Sequence, residues 1–190
     1  MSLADEFETA IAGIQGLNPC FNAPLDEGVL HEIETKTGFQ LPEEFKNLYR
    51  LHNGQEDCCD SLFDFFNLNP ARDILRTWDA LKTVEPQCEE DGIKADPDEG
   101  IKDKWCSSKW LPFANTADGH SICIDYDPDE GGKVGQIVVF WYNDEERPLI
   151  ADSFDDFLKS YLEKLKEGEY IFDSEISAIV RKDGEPMFGS

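Results

Sequence analysis

Basic side chains are scarce in this sequence. Among its 190 residues, 17 lysines and arginines stand against 41 aspartates and glutamates, so the formal net charge at pH 7 is −24. A charge of this sign and size repels the phosphate backbone of nucleic acids and anionic lipid surfaces. We therefore expect neither nucleic acid nor a membrane as a direct partner. A basic protein partner, or solubility alone, remains as the reason for the charge.

Features of exported and membrane proteins are also missing. No apolar run reaches the roughly 18–20 residues that span a bilayer, and Met1–Phe7 carries neither a basic start nor an apolar signal segment. No Cys-x-x-Cys occurs, and a chain of this length with many aromatic residues does not need disulfides to stabilise its core. We expect a cytoplasmic protein whose thiols are all free: Cys20, Cys58, Cys59, Cys88, Cys106 and Cys123.

The usual signatures of catalysis and metal binding are absent. The sequence contains no G-x-G-x-x-G, no P-loop, no G-x-S-x-G and no H-E-x-x-H. Asp125–Asp129 resembles the start of a calcium loop, in which alternate oxygens surround the cation. Glu130 stands where that loop needs glycine, and Gln136 stands where it needs glutamate. An acidic turn is the better interpretation, and we expect no metal and no cofactor.

Two groups of residues leave an enzyme open as a lesser alternative. His52 lies near Cys58 and Cys59 in the sequence, and these three could supply a thiolate with a base or soft metal ligands. His120 follows Asp118 by two positions, and such a pair can exchange protons near neutral pH. No second pair of zinc ligands and no third catalytic group can be assigned. We interpret both histidines as structural and predict no catalytic residue.

The residues that are present suffice for a packed core. Apolar residues make up 40% and aromatic residues 12% of the chain, and at roughly 100–200 residues per domain we expect residues 1–190 to form a single domain.

Helices are predicted at 7–14, from Pro24 to Gly38, from Pro42 to His52 with Asn53-Gly54 as cap, after Asn69-Pro70, and at 153–167. Strands are predicted at 62–66, 121–126, 136–142 and 148–151, with 121–126 beside 136–142, and 85–104 is predicted as an acidic surface loop. Helices, then an antiparallel sheet, then a closing helix form an α+β order.

Three groups of segments stand out by their order and spacing. They are Gly38–Phe45 with Asn53-Gly54, Trp110–Ala114 with Asp118-Gly119 and Ile122–Asp125, and Gly135–Val138 with Ala151–Leu158. Together, over about residues 25–168, they resemble the SUKH superfamily, the group around the Smi/Knr cell-wall assembly regulator. The acidic loop 85–104 and a C-terminal extension, 169–190, depart from a plain match. The matched residues start, cap and anchor elements of the fold, so we expect them to be structural.

The resemblance implies function through binding. Bacterial members of the superfamily are often immunity proteins that neutralise a cognate toxin, commonly one that acts on nucleic acid, and fungal members resemble interaction regulators. A toxin of that kind presents a basic groove, which an acidic chain reaches quickly through electrostatic steering. We therefore predict a non-catalytic, immunity-type protein that binds a basic toxin, with a scaffold or regulator of the cell wall as the alternative. The predicted contact residues are Glu56, Asp57, Asp60, Glu89, Glu90, Asp91, Asp125, Asp127, Asp129 and Glu130.

Overall fold

The computed structural model describes residues 2–56 and 59–189, which form five helices and nine strands. The helices are α1 (Leu3–Ala12), α2 (Glu27–Thr37), α3 (Glu43–Leu51), α4 (Ala71–Glu90) and α5 (Phe154–Glu167). The strands are β1 (Asn67–Leu68), β2 (Asp96–Pro97), β3 (Trp110–Asn115), β4 (Ser121–Asp125), β5 (Gln136–Phe140), β6 (Glu146–Arg147), β7 (Leu149–Ala151), β8 (Tyr170–Asp173) and β9 (Ala178–Arg181).

An antiparallel sheet in the order β1-β3-β4-β5-β7 forms the centre of the described residues. β4 and β5 pair with Ile122 opposite Val139, which confirms the predicted pairing of 121–126 with 136–142. α5 buries Phe154 and Phe157 in the apolar cluster that contains Ile122 and Val139. The predicted α+β class is confirmed.

The two faces of this sheet pack against different parts of the chain. Successive side chains of a strand point to opposite faces, so Ile122 and Val139 lie in the main apolar cluster with the helices α1, α3 and α5. Cys123 and Val138, one position along each strand, lie in a second, smaller cluster with Trp110 and residues of α4. The strands β4 and β5 are therefore buried on both faces. The apolar run of β5 predicts this, whereas the alternating pattern of β4 predicts only one buried face.

Several helix ends follow from local sequence. Gly38 closes α2 with a left-handed backbone (φ 74°), which glycine adopts without the steric cost of a Cβ. Ser153 caps α5 by accepting a hydrogen bond from the N–H of Asp156, and Gly168 closes that helix. The predicted helices at 24–38 and 153–167 are confirmed.

The Asn53-Gly54 pair has a different role from the predicted one. α3 ends at Leu51 with His52 in an extended conformation, so Asn53-Gly54 does not cap it. Instead, the side-chain oxygen of Asn53 accepts a hydrogen bond from the N–H of Ala71 (2.8 Å), at the start of α4. Gly54 (φ 67°) lies so close to Asn69-Pro70 that a Cβ would overlap that backbone. The pair joins α3 to the start of α4.

The predicted strand at 62–66 is wrong. Asp64 adopts a left-handed backbone (φ 60°) and reverses the chain, so that Phe63 and Phe66 pair with each other. Leu62, Phe63 and Phe66 are buried, whereas Phe65 is exposed. The apolar run therefore forms a tight turn, with three side chains in the core and that of Phe65 at the surface.

The predicted loop at 85–104 is wrong in its first part. α4 continues through Pro86 to Glu90, because the last turn buries Cys88 in the second apolar cluster. Glu85 accepts a hydrogen bond from the N–H of Ser108 (2.9 Å), which ties this turn to the segment before β3. The exposed loop begins at Asp91 and is interrupted by β2, which pairs in parallel with β6.

The C-terminal residues belong to the main cluster. β8 and β9 form a hairpin, and Ser61 forms a parallel bridge with Ala178 of β9. Met187 and Phe188 are buried against the main apolar cluster. The extension beyond the family-like segment thus packs on the helices and on the turn at 62–66.

Cys20, Cys88, Cys106 and Cys123 form no disulfide, and Cys58 lies outside the described residues. The expectation that all six thiols are free therefore stays a prediction. Among the described residues, no helix combines the length and the apolar composition that crossing a membrane requires.

Candidate protein-interaction site

Two of the predicted acidic segments lie together at one end of the sheet. The loop 91–104 contacts the β4–β5 connection through glycines: the backbones of Gly100 and Gly132 approach so closely that a side chain on Gly132 would overlap Gly100. The N–H of Asp129 also donates to the carbonyl oxygen of Gly100 (3.0 Å). We call residues 96–103 and 127–133 the acidic loop pair. Gly100 and Gly132 are 32 positions apart in the sequence, which gives no sign that the two segments meet.

A buried polar link holds the acidic loop pair in place. The side-chain nitrogen of Gln136 donates to the carbonyl oxygen of Gly100 and to the carboxylate of Asp125, each at 2.9 Å. The same carboxylate accepts a hydrogen bond from the N–H of Asp127 (3.0 Å). Burial raises the pKa of the Asp125 carboxyl, and these two hydrogen bonds oppose the shift.

Asp125 is therefore not a contact residue, which corrects the prediction for this position. Its side chain is 0% exposed because it sits in β4, opposite Gln136 of β5 and Trp110 of β3. The sequence predicts Asp125 as part of the acidic turn, whereas in the structure its buried carboxylate binds Gln136 and the N–H of Asp127 and so holds the turn in place.

The accessible carboxylates of the acidic loop pair are fewer than the sequence indicates. Asp127 forms an ion pair with Lys102 (2.6 Å), and the Asp98 carboxylate accepts a hydrogen bond from the N–H of Leu149 (2.8 Å). Asp96, Glu99, Asp129 and Glu130 are exposed. A partner would meet these four carboxylates first.

Some acidic side chains at the end of α4 are bound within the fold, and others are exposed. Glu89 and Glu85 both bind the Lys104 ammonium, at 2.8 and 2.9 Å, and this ties the loop to the helix. Burial acts to raise the pKa of Glu85, but hydrogen bonds from Ser108 and Lys104 outweigh it and lower that pKa. Glu90 and Asp91 are exposed.

The third predicted segment contacts another part of the chain. Asp60 accepts a hydrogen bond from the N–H of Asn18 (2.7 Å), and the N–H of Glu56 donates to Cys20 (3.0 Å). Glu56 has an exposed side chain, and Asp57 lies outside the described residues. These contacts connect the segment to the chain between α1 and α2, so Asp60 is structural in part.

A groove beside the acidic loop pair was not predicted. It has a volume of about 950 Å³, and Gly38–Glu43, Lys109, Tyr126 and Val134 line it. Phe39 stacks on Tyr126 with ring centroids 4.2 Å apart, and the Tyr126 hydroxyl donates to the carbonyl oxygen of Gln40 (3.1 Å). Val134 is 70% exposed. The motif at Gly38–Phe45 thus starts a helix and also forms one wall of a surface groove.

Both histidines that were considered for an enzyme contact neighbouring parts of the fold. His52 stacks on Phe21 and contacts the Glu8 carboxylate, and its sequence neighbour Cys58 lies outside the described residues. His120 accepts a hydrogen bond on Nδ1 from the N–H of Tyr142 (3.0 Å). Among the described residues, no three His, Cys, Asp or Glu side chains are arranged to hold a metal ion.

Comparison with known proteins identifies the family. The model of the SMI1 / KNR4 family (SUKH-1) matches residues 24–160, a range that contains all the motif segments described above. The chain belongs to the SMI1 / KNR4 family. The resemblance predicted from those motifs is confirmed.

Three fungal proteins are similar over most of this chain. The "Cell wall assembly regulator SMI1" of Saccharomyces cerevisiae is 20% identical, covering 90% of this chain and 41% of its own length. The "KNR4/SMI1 homolog" of Kluyveromyces lactis is 28% identical, covering 83% and 28%. The "Glucan synthesis regulatory protein" of Neurospora crassa is 20% identical, covering 79% and 35%. This chain therefore spans about two fifths or less of these relatives. The names of the Saccharomyces cerevisiae and Neurospora crassa proteins describe regulators.

Proposed function

We propose that this chain is a protein-binding regulatory module that acts in the control of cell-wall assembly without chemistry of its own. The observation that carries this proposal is family membership combined with the names of the relatives, a cell wall assembly regulator and a glucan synthesis regulatory protein. We place the module in the cytoplasm, which the unbridged buried thiols of Cys88, Cys106 and Cys123 support.

The proposed contact surface is the acidic loop pair with the adjoining groove. Glu99, Asp129 and Glu130 supply exposed negative charge, and the exposed Val134 in the neighbouring groove supplies an apolar contact. A charged rim beside a small apolar centre is the usual composition of a protein interface. The partner is accordingly basic at the face that meets these loops.

A second candidate is the immunity-type inhibitor that the sequence first indicated. The net charge of −24 favours it, because a toxin acting on nucleic acid presents a basic surface and an acidic inhibitor associates with it rapidly. The names of the relatives favour the regulator, so we keep the inhibitor as the second candidate.

Affinity capture with matched variants tests the proposal. The neutral-loop variant replaces three of the exposed carboxylates by Glu99→Gln, Asp129→Asn and Glu130→Gln. The helix control removes the same charge from α1 and α5 by Glu6→Gln, Glu163→Gln and Glu167→Gln, all at exposed positions. The chain is used as bait in extract of the cells that express it, and captured proteins are identified by mass spectrometry.

We expect the wild-type chain and the helix control to capture the same wall-synthesis or signalling protein, and the neutral-loop variant to capture less of it. Capture of a toxin domain instead would favour the second candidate. A partner captured equally by both variants would refute the acidic loop pair as the contact surface.

A further inference from the structure

A second cavity lies between the central sheet and the C-terminal hairpin. Its volume is about 560 Å³, and its lining includes Phe65, His120, Trp141, Ile171 and Ile176. None of its lining residues belongs to the groove beside the acidic loop pair. We call it the hairpin cavity.

Exposed apolar side chains concentrate at the hairpin cavity. Seven large apolar side chains are exposed among the described residues, and three of them line it: Phe65 (60%), Ile171 (39%) and Ile176 (47%). A fourth, Tyr142, lies beside it, because its N–H binds the ring of the lining residue His120. Contiguous exposed apolar surface with a polar rim marks an interaction site in a folded domain.

The lining also holds an unused hydrogen-bond donor. The indole N–H of Trp141 is buried and has no acceptor among residues 2–56 and 59–189. The ring is fixed between Phe66 and His120, with centroids 5.8 and 5.1 Å away. A buried donor without a partner costs free energy, and an acceptor brought by a ligand relieves that cost. A carbonyl oxygen is the acceptor that every peptide carries.

Two of the exposed apolar residues, Phe65 and Ile176, each lie next to a residue with an unfavourable backbone conformation. Asp64, before Phe65, and Ser177, after Ile176, have φ values of 60° and 56°, a region that side-chain-bearing residues rarely adopt. The Asp64 carboxylate accepts the N–H of Met187 at 3.0 Å, which fixes this turn. Backbone held in such conformations is concentrated at functional sites.

The rim of the hairpin cavity is negatively charged. Four carboxylates line it, those of Asp64, Asp118, Asp173 and Glu185, against the basic side chains of Arg181 and Lys182. Arg181 is already paired with Asp183 at 2.5 Å. The rim therefore favours a positively charged ligand.

We propose that the hairpin cavity binds a short segment of a protein partner that carries one large apolar side chain flanked by lysine or arginine. The apolar side chain packs among Phe65, Ile171 and Ile176, and a backbone carbonyl accepts the Trp141 N–H. This inference rests on the proposed function, protein binding, and adds a contact separate from the acidic loop pair.

Peptide binding followed by NMR tests the inference. The probes are acetylated, amidated heptapeptides Gly-Lys-Lys-X-Lys-Lys-Gly, with Phe, Leu or Ala at X, and a Glu-flanked version of the Phe peptide. The chain contains 4 tryptophans, so the Trp141→Phe variant assigns the indole N–H signal of Trp141. We expect the Phe and Leu peptides to shift that signal, and the Ala and Glu-flanked peptides to bind at least about tenfold more weakly.

Matched substitutions separate the hairpin cavity from other surfaces. Phe65→Ala with Ile176→Ser removes exposed apolar area from the cavity, and we expect peptide affinity to fall about tenfold. Val134→Ser removes a comparable exposed side chain from the groove, and we expect no change beyond about twofold. Thermal unfolding monitored by circular dichroism checks that each variant is folded. If the double variant is unfolded, the inference is tested instead by how the affinity of the wild-type chain depends on residue X of the peptide.

Absence of any shift at millimolar peptide, or equal weakening by Val134→Ser, would overturn the inference. Binding lost only in the neutral-loop variant would place the peptide on the acidic loop pair, so that the inference fails while the proposed function stands. A Trp141 shift without any captured partner would have the opposite meaning: the site would stand, and the proposed regulatory function would lose its support.

Discussion

Arg147 is a basic residue that is buried, which is unusual for a charged side chain. It is 1% exposed, and its guanidinium donates to the carbonyl oxygens of Trp105, Asp144 and Glu146 at 2.5–3.2 Å. The rings of Trp105 and Phe140 each lie 5.0 Å from it. Burial lowers the pKa of Arg147 to about 10, so it still carries its charge at neutral pH.

We expect Arg147→Lys to lower the free energy of unfolding by about 2–4 kcal/mol. A lysine ammonium keeps the charge but lacks the planar fork that satisfies several carbonyls at once, and it leaves buried acceptors without donors. Urea denaturation of this variant and of Arg72→Lys, at an exposed position, measures the difference. The control should stay within about 0.5 kcal/mol of the wild type. Equal stability of both variants would show that charge alone matters at Arg147.

Asp125 and Asp103 make opposite contributions to the pH dependence of stability. Burial raises the pKa of Asp125, so the folded state binds its proton more tightly than the unfolded chain does. Its contribution is largest below pH 3.8, and it falls as the pH rises through the folded-state pKa. A hydrogen bond from Lys94 lowers the pKa of Asp103, so its contribution is present above pH 3.8 and is lost as the pH falls.

Between pH 3 and pH 6, the stability difference between wild type and Asp125→Asn should therefore move in favour of the variant as the pH rises. The difference for Asp103→Asn should move in favour of the wild type. Urea unfolding of dilute protein across this range measures both. Parallel slopes for the two variants would contradict the assigned surroundings of Asp125.

At the scale of elements, two glycines with similar backbone angles serve different purposes. Gly38 (φ 74°) ends α2 with no heavy atom near the position of a Cβ, whereas a Cβ on Gly54 (φ 67°) would overlap Asn69 and Pro70. We expect Gly38→Ala to cost about 1 kcal/mol from the left-handed backbone alone. Gly54→Ala should cost at least about 2 kcal/mol more, because the chain after α3 must move away from Asn69 and Pro70. Thermal and urea unfolding measure both variants, and equal costs would contradict the close approach.

Elements with one strong local pattern could be predicted from sequence. The apolar stripe of 153–167 with Ser153 before it, and the alternating segment 121–126, needed no knowledge of their neighbours. The turn at 62–66 could not be predicted, because a single left-handed residue, Asp64, divides an apolar run between core and surface. The last turn of α4 was missed because Pro86 disfavours a helix locally, and only the burial of Cys88 in tertiary contacts compensates.

At the scale of the whole molecule, composition predicted the sign of the surface charge but not where the charges lie. The sequence indicated Asp129 and Glu130 as exposed acids, and the structure places them beside Glu99. That juxtaposition depends on contact between Gly100 and Gly132, and such a contact produces no periodic pattern in the sequence. Asp125 was misassigned for the related reason that its burial depends on pairing with Gln136 across two strands. The groove and the hairpin cavity likewise depend on segments distant in sequence.

Long-range charge should control how fast this chain meets a basic partner. Exposed charges act over about 30 Å at 0.01 M salt but only about 8 Å at 0.15 M, so the association rate with the captured partner should fall steeply across that range. The neutral-loop variant should associate more slowly at low salt and converge toward the wild type at 0.15 M, with a smaller change in the dissociation rate. The helix control, with the same net charge, separates local from total charge. Stopped-flow association at several salt concentrations measures these rates. Equal slowing in both variants would assign steering to the total charge of −24, and rates independent of salt would leave that charge with a role in solubility alone.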